Sequence, residues 1–146
     1  MGRHGYVDDL EQKDLAMWRG RVTSALRGKR GQAMLRELAA ALDAMPEKRL
    51  ISGLLKDQDG CVCTTGCILA AKNVPDIVDD EGDDHGWIAG HLNVAECVVQ
   101  EIEYKNDEYG SAWDLKEGKW IPETPEQRWT RMRAWVDKQL TKGTPR

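Results

Sequence analysis

The chain has 146 residues, of which 40% are hydrophobic, and this is enough apolar material for one domain that folds without disulfides. No apolar run approaches the ~20 residues of a membrane span, and the N-terminus lacks the apolar core of a signal peptide. We therefore expect a cytoplasmic protein with no membrane partner. We expect a single domain over residues 1–146, with 1–12 as a flexible N-terminal arm and 141–146 as a flexible tail.

The formal net charge of −4 is unevenly distributed along the chain. Residues 1–50 carry 10 Lys and Arg against 7 Asp and Glu, residues 51–110 carry 3 against 13, and residues 111–146 carry 8 against 5. This segregation indicates a charged binding face.

Helical periodicity dominates the first third of the chain. From Asp14 to Leu26 the apolar residues recur at helical spacing, with Asp14 as the N-cap and Gly28 as the stop. A second apolar face begins near Gly31 and ends before Pro46, which cannot continue a helix. The short connection between them predicts an antiparallel helical hairpin.

The next segment predicts a small β-hairpin and a short helix. Two apolar runs, 50–55 and 61–63, flank the turn dipeptide at 59–60, which is typical of a β-hairpin. Thr64 or Thr65 then caps a short helix that continues through residue 71. Residues 73–86 have the polar and Gly/Pro content of a loop.

A further helix follows from Asn93, which the pattern predicts to be its N-cap. Helical spacing turns the apolar residues of this segment inward and leaves an acidic stripe facing solvent. That stripe consists of Glu96, Gln100, Glu101 and Glu103.

The last third contains the clearest helix start in the chain. The stretch from Trp113 to Ile121 is either a second hairpin or an irregular excursion. Thr124 then serves as an N-cap, Pro125 as the first helical residue, and Gln127 completes a capping box. The predicted fold class is therefore mainly α (α+β), with four to five helices packed on one or two small β-hairpins.

Three cysteines, Cys61, Cys63 and Cys67, form the densest group of reactive side chains. With His85, His91 or Cys97 they could complete a zinc site, or one of them could be a nucleophile in a small thiol-dependent enzyme. Their spacing does not match paired zinc knuckles, so buried thiols are the favoured interpretation and we expect no cofactor. The sequence also lacks the main hydrolase, NTPase and dinucleotide motifs, which favours a protein that is not an enzyme.

Two surfaces of opposite charge are candidates for binding. The acidic candidate consists of Asp79, Asp80, Glu81, Asp83 and Asp84, extended by Glu101 and Glu103. Such a surface could occupy a basic groove on a partner protein. The basic candidate consists of Arg27, Lys29 and Arg30 with nearby arginines, and could bind nucleic-acid phosphates.

Four segments together carry a family resemblance: LDAMPEKRLI, the DGxVCxxGxIL pattern at 59–69, YKNDE at 104–108, and ETPEQRWxRMRxWV at 123–136. In these segments the chain resembles a group of small uncharacterised proteins encoded in bacteriophages and prophages. The resemblance implies a genomic setting and no catalytic residues.

The leading hypothesis is therefore a non-enzymatic phage or prophage accessory protein. It would bind a host protein, such as one with a nucleic-acid groove, through the acidic surface, and could inhibit host defence as anti-CRISPR proteins do. Direct nucleic-acid binding through the basic hairpin ranks second, and a zinc- or thiol-dependent enzyme at the cysteines ranks third.

Overall fold

The fold is mainly helical, as the sequence predicts. The structure is a computed structural model, and it describes residues 3–5, 12–75, 77, 84–108, 110 and 112–141. No helix in these ranges combines the length and the apolar character needed to cross a membrane. The elements of the described chain are α1 (Gln12–Arg27), α2 (Lys29–Ala44), α3 (Thr64–Ala71), α4 (His85–Leu92), α5 (Glu96–Glu108), β1 (Ala112–Asp114), β2 (Lys119–Ile121) and α6 (Pro125–Gln139).

The first two helices form the predicted antiparallel hairpin, although both begin earlier than expected. Helix α1 starts at Gln12, so Asp14 lies inside it and is not its N-cap. Only Gly28 separates α1 from α2. Gly31 makes this tight connection feasible, because a Cβ atom there would lie 2.1 Å from the carbonyl oxygen of Ala25.

Helix α2 lies at the centre of the molecule and packs against α1, α3 and α6. Helix α5 completes the core by packing against α1, α3 and α4. Burial of this apolar surface is the main force that holds the helices together. The fully buried apolar side chains include Leu35, Leu38, Leu42, Leu50, Leu69, Ile88, Val98, Val99, Ile102, Met132 and Val136.

The β-hairpin predicted over residues 50–63 is present only in part. An isolated antiparallel bridge joins Lys56 to Val62, and backbone hydrogen bonds join Ile51 to Val62, Leu55 to Cys63 and Asp57 to Cys61, but the described segment forms no regular strand. Other polar groups of the segment bond elsewhere. Leu50 donates its backbone N–H to the carbonyl of Pro125 in α6, and the Asp57 side chain accepts from two N–H groups within the turn. The short helix that follows is confirmed as α3, but its N-cap is Cys63 and not a threonine.

Helix α4 is an element that we did not predict. Its eight residues include Gly86 and Gly90, which are poor helix formers, and this composition conceals it in the sequence. Asn93 is in the left-handed conformation (φ 56°) and ends α4, so the prediction that it begins α5 is wrong. The αL tendency of asparagine explains the position, since this conformation often terminates helices.

The final third agrees with the predicted pattern. Strands β1 and β2 pair antiparallel and place Trp113 opposite Trp120, so the hairpin alternative is confirmed. Helix α6 begins with the complete capping box of Thr124 and Gln127 and has Pro125 at its start.

Part of the N-terminal segment packs against the domain. The side chains of Arg3 and His4 are buried, and both contact the C-terminal part of α5. These contacts attach Arg3 and His4 to α5, and the flexibility of the arm over residues 1–12 stays a prediction.

Candidate functional site

Most of the predicted acidic surface lies outside the described residues. This is the case for Asp79, Asp80, Glu81 and Asp83, so their role in partner binding stays a prediction. Asp84 is described and caps α4, because its Oδ1 accepts a hydrogen bond of 2.9 Å from the backbone N–H of Trp87. This carboxylate therefore has a local structural role.

The prediction that Glu101 and Glu103 face solvent is wrong. They are only 5% and 0% exposed. Glu101 accepts hydrogen bonds from Arg19 of α1, with 2.6 Å between Nη1 and Oε1. Because a cation from another element neutralises the carboxylate, the helix can bury it at a tolerable cost. Neither glutamate can contribute to an exposed acidic face in this fold.

Glu103 belongs to a buried ionic cluster, which we define as Arg3, His85, Glu103 and Asp107. Its Oε2 lies 3.3 Å from Nε2 of His85 and 3.8 Å from Nε of Arg3. Arg3 also donates two hydrogen bonds to Asp107, at 2.8 and 3.1 Å. Burial alone would raise the pKa of Asp107, but the hydrogen bonds and positive charge of Arg3 outweigh it and hold that pKa below its usual value.

Asn106 extends this cluster into the neighbouring backbone. Its Oδ1 accepts from the hydroxyl of Thr64 at 2.7 Å, and its Nδ2 donates to the carbonyl of Ile51 at 3.0 Å. The Asn–Asp pair at 106–107 thus fastens α5 to the start of α3 and to the loop before it. The sequence indicates Asp107 only as one acidic residue of the negatively charged middle segment and Asn106 only as part of the motif YKNDE, because the partners of both are distant in the chain.

Cys63 and Cys67 are buried thiols, whereas Cys61 and Cys97 are partly exposed. Cys63 Sγ accepts from the backbone N–H of Gly66 at 3.4 Å, yet its complete burial raises its pKa despite the nearby Arg3. Burial also raises the pKa of Cys67, to about 12. Among the described residues, no three His, Cys, Asp or Glu side chains are arranged to hold a metal ion, and His85 instead contacts Glu103.

The connection between α1 and α2 carries the most accessible charge in the described chain. We define the basic turn as the five exposed cations Arg21, Arg27, Lys29, Arg30 and Arg36. No described carboxylate forms an ion pair with any of them, and the one described electrostatic neighbour is the Cys97 thiol beside Arg21. By contrast, Arg131 binds Glu123 through two nitrogens, and Arg133 binds Asp43.

Two cations of the basic turn, Lys29 and Arg30, line a small cleft with a volume of about 280 Å³. The end of α1, the start of α2 and the short turn before α5 form its walls. The N-cap residue of α2 is Gly28, which has no side chain to accept hydrogen bonds from the first N–H groups of the helix. The residues that line the cleft are Ser24, Ala25, Gly28, Lys29, Arg30, Gly31, Val94 and Ala95.

The basic turn is also held firmly in place. Gln32 donates hydrogen bonds to the carbonyls of Leu26, at 2.7 Å, and Gln139, at 3.0 Å. Its side-chain carbonyl oxygen, Oε1, accepts a hydrogen bond of 2.9 Å from the backbone N–H of Thr141. This buried amide therefore joins the end of α1, the start of α2 and the end of α6, and it fixes the backbone that presents the cations.

Comparisons with protein-family models, with curated proteins and with solved structures gave no match to this chain.

Proposed function

We propose that the protein is a non-enzymatic nucleic-acid-binding protein that contacts phosphates through the basic turn. The observation that supports this proposal is the set of five exposed cations without a described carboxylate partner. Cations that are already paired must lose a partner before they can bind a ligand, whereas these five have no described carboxylate to lose.

An acidic chain is compatible with this proposal because its charges are unevenly distributed. The pairs Glu101–Arg19 and Asp107–Arg3 each combine one negative and one positive charge, so they leave the net charge of −4 unchanged. Salt screens exposed charges beyond about 8 Å at physiological ionic strength, so the local group of five cations governs the field at the basic turn more than the net charge does.

The expected binding is weak and strongly dependent on salt. Each neutralised phosphate contributes about −0.9 to the slope of log K against log salt concentration, so three to five contacts give a slope of about −3 to −4.5. Contacts of this kind position the chain on the phosphate backbone and do not read base sequence. The dissociation constant should fall in the range of about 10⁻⁴ to 10⁻⁶ M that is typical of non-specific binding.

The acidic-surface hypothesis loses Glu101 and Glu103 as contacts, and the remaining loop residues supply no described geometry for it. The phage or prophage origin, the host-protein partner and the anti-CRISPR-like role therefore stay proposals that rest on the resemblance.

The test is fluorescence anisotropy with a labelled DNA duplex and its separated strand, between about 50 and about 200 mM salt. The variant R27Q/K29Q/R30Q removes three charges from the basic turn. The control K56Q/K72Q/K138Q removes three exposed charges that lie outside the basic turn. We expect the first variant to reduce the magnitude of the salt slope by about 2.7 and to weaken binding at low salt by at least about tenfold.

Two results would reject the proposal. One is a wild-type protein that binds neither strand nor duplex at about 50 mM salt, where phosphate contacts are strongest. The other is an equal loss of affinity in the variant and the control, which would mean that overall charge and not the basic turn governs binding.

A further inference from the structure

The β1–β2 hairpin exposes the largest group of apolar side chains in the described chain. Leu115 in its turn is 89% exposed, Trp120 is 64% exposed, and Trp113 and Ile121 are about half exposed. Trp113 and Trp120 face each other across the strands with their ring centroids 5.3 Å apart at 71°. The register pairs Trp113 with Trp120 and Ala112 with Ile121, so the two indoles share one face of the hairpin and Ile121 lies on the other. Scattered apolar residues are normal on a surface, but an exposed pair of indoles in contact marks an interaction site.

The hairpin also has little support from the rest of the molecule. Its two strands pair with each other, and neither packs extensively against a described helix. A hairpin of two three-residue strands is marginally stable in water, and each strand has an unpaired edge. A partner that covered the indole pair would therefore stabilise the hairpin as well as bury its apolar surface.

The charges around the indoles indicate what kind of partner fits. Asp114 and Glu117 are balanced by Lys116 and Lys119, so the hairpin carries no net charge. Such a surface attracts neither a polyanion nor a polycation, and two copies of it do not repel each other.

We propose that this hairpin is the contact surface of a homodimer, in which the indole pair of one copy packs on that of a second copy. The indole pair and Leu115 offer roughly 400 Å² per chain, so a symmetric contact buries roughly 800 Å² in total, which is the size of a weak, transient interface. The same patch serves both copies, as a two-fold axis requires. The dimer is independent of the proposed nucleic-acid binding, because the basic turn lies on a different element.

The experiment is sedimentation velocity of the full chain from about 5 to about 500 µM, a range that covers weak association through an interface of this size. L115D is the main variant, since its side chain is almost fully exposed and the folded monomer should tolerate the change. W120K removes the central ring. M17D is the control, because Met17 is also exposed (63%) but lies on α1.

We expect the wild type and M17D to shift from monomer to dimer across this range. L115D and W120K should raise the dissociation constant at least about tenfold, with L115D unchanged in its melting temperature. A wild type that stays monomeric throughout would overturn the proposal. So would a dimer that persists unchanged in L115D and W120K, because the contact would then lie elsewhere.

Discussion

The ion pair between Arg3 and Asp107 gives the sharpest test of how the N-terminal segment is held. Their side chains are only 6% and 11% exposed, and Glu103 lies 3.8 Å from the same guanidinium. Removing one partner of a buried pair leaves an uncompensated charge and costs up to about 3–5 kcal/mol. Because the short segment that carries Arg3 can release its cation into water, we expect D107N to cost less, about 2–3 kcal/mol.

Urea denaturation of wild type, R3M, D107N and the double variant measures this coupling. A loss of about 2–3 kcal/mol corresponds to a fall in the midpoint of roughly 1–1.5 M, for a slope of about 2 kcal/mol/M. R3M should cost more than D107N, because it also deprives Glu103 of a nearby cation. The double variant should be more stable than the sum of the two single effects predicts, by about 2 kcal/mol. Additive effects would refute the reasoning.

The pH dependence gives a second readout of the same pair. The pKa of Asp107 is lower in the folded protein than its unfolded value of about 3.9. The ionised Asp107 side chain therefore makes its full contribution to the free energy of unfolding above that unfolded value, and this contribution is lost as the pH falls through the folded pKa. The difference in stability between wild type and D107N should be constant from about pH 6 to pH 5 and should shrink below about pH 4. A difference that persists at about pH 2 would mean that the charge of Asp107 is not responsible.

Three further predictions concern local packing and chemistry. G31A should lower the free energy of unfolding by at least about 2 kcal/mol, measured by thermal denaturation, because the added Cβ would clash with backbone atoms. The control G20A adds a Cβ in open space and should stabilise α1 by up to about 1 kcal/mol. Equal effects of the two substitutions would contradict the close approach at Gly31. T124A should cost about 1 kcal/mol through loss of the α6 cap, and an unchanged melting temperature would show that the cap is dispensable. Cys63 and Cys67 should react with iodoacetamide at neutral pH far more slowly in the folded than in the denatured protein, and mass spectrometry that found equal rates would argue against their burial.

The elements that the sequence predicts best are those whose signals are local. The capping box of Thr124 and Gln127 and the apolar faces of α2 and α6 depend on residues three or four positions apart. Such short-range patterns are present in the sequence whatever the rest of the chain does. The basic turn was also found this way, since its cations are close neighbours along the chain.

The predictions that failed concern residues whose partners are distant in the sequence. Leu50 bonds to Pro125 and not to the strand expected beside it, and Glu101 is buried because Arg19, 82 positions away, supplies its counter-charge. A carboxylate on a helix is predicted to face solvent unless its partner is known. The sequence by itself thus predicted five of the six described helices and the position of the basic turn. Only the tertiary structure decided which charges are neutralised inside the fold and which remain for a partner, because burying a charge requires a compensating group that packing alone brings close.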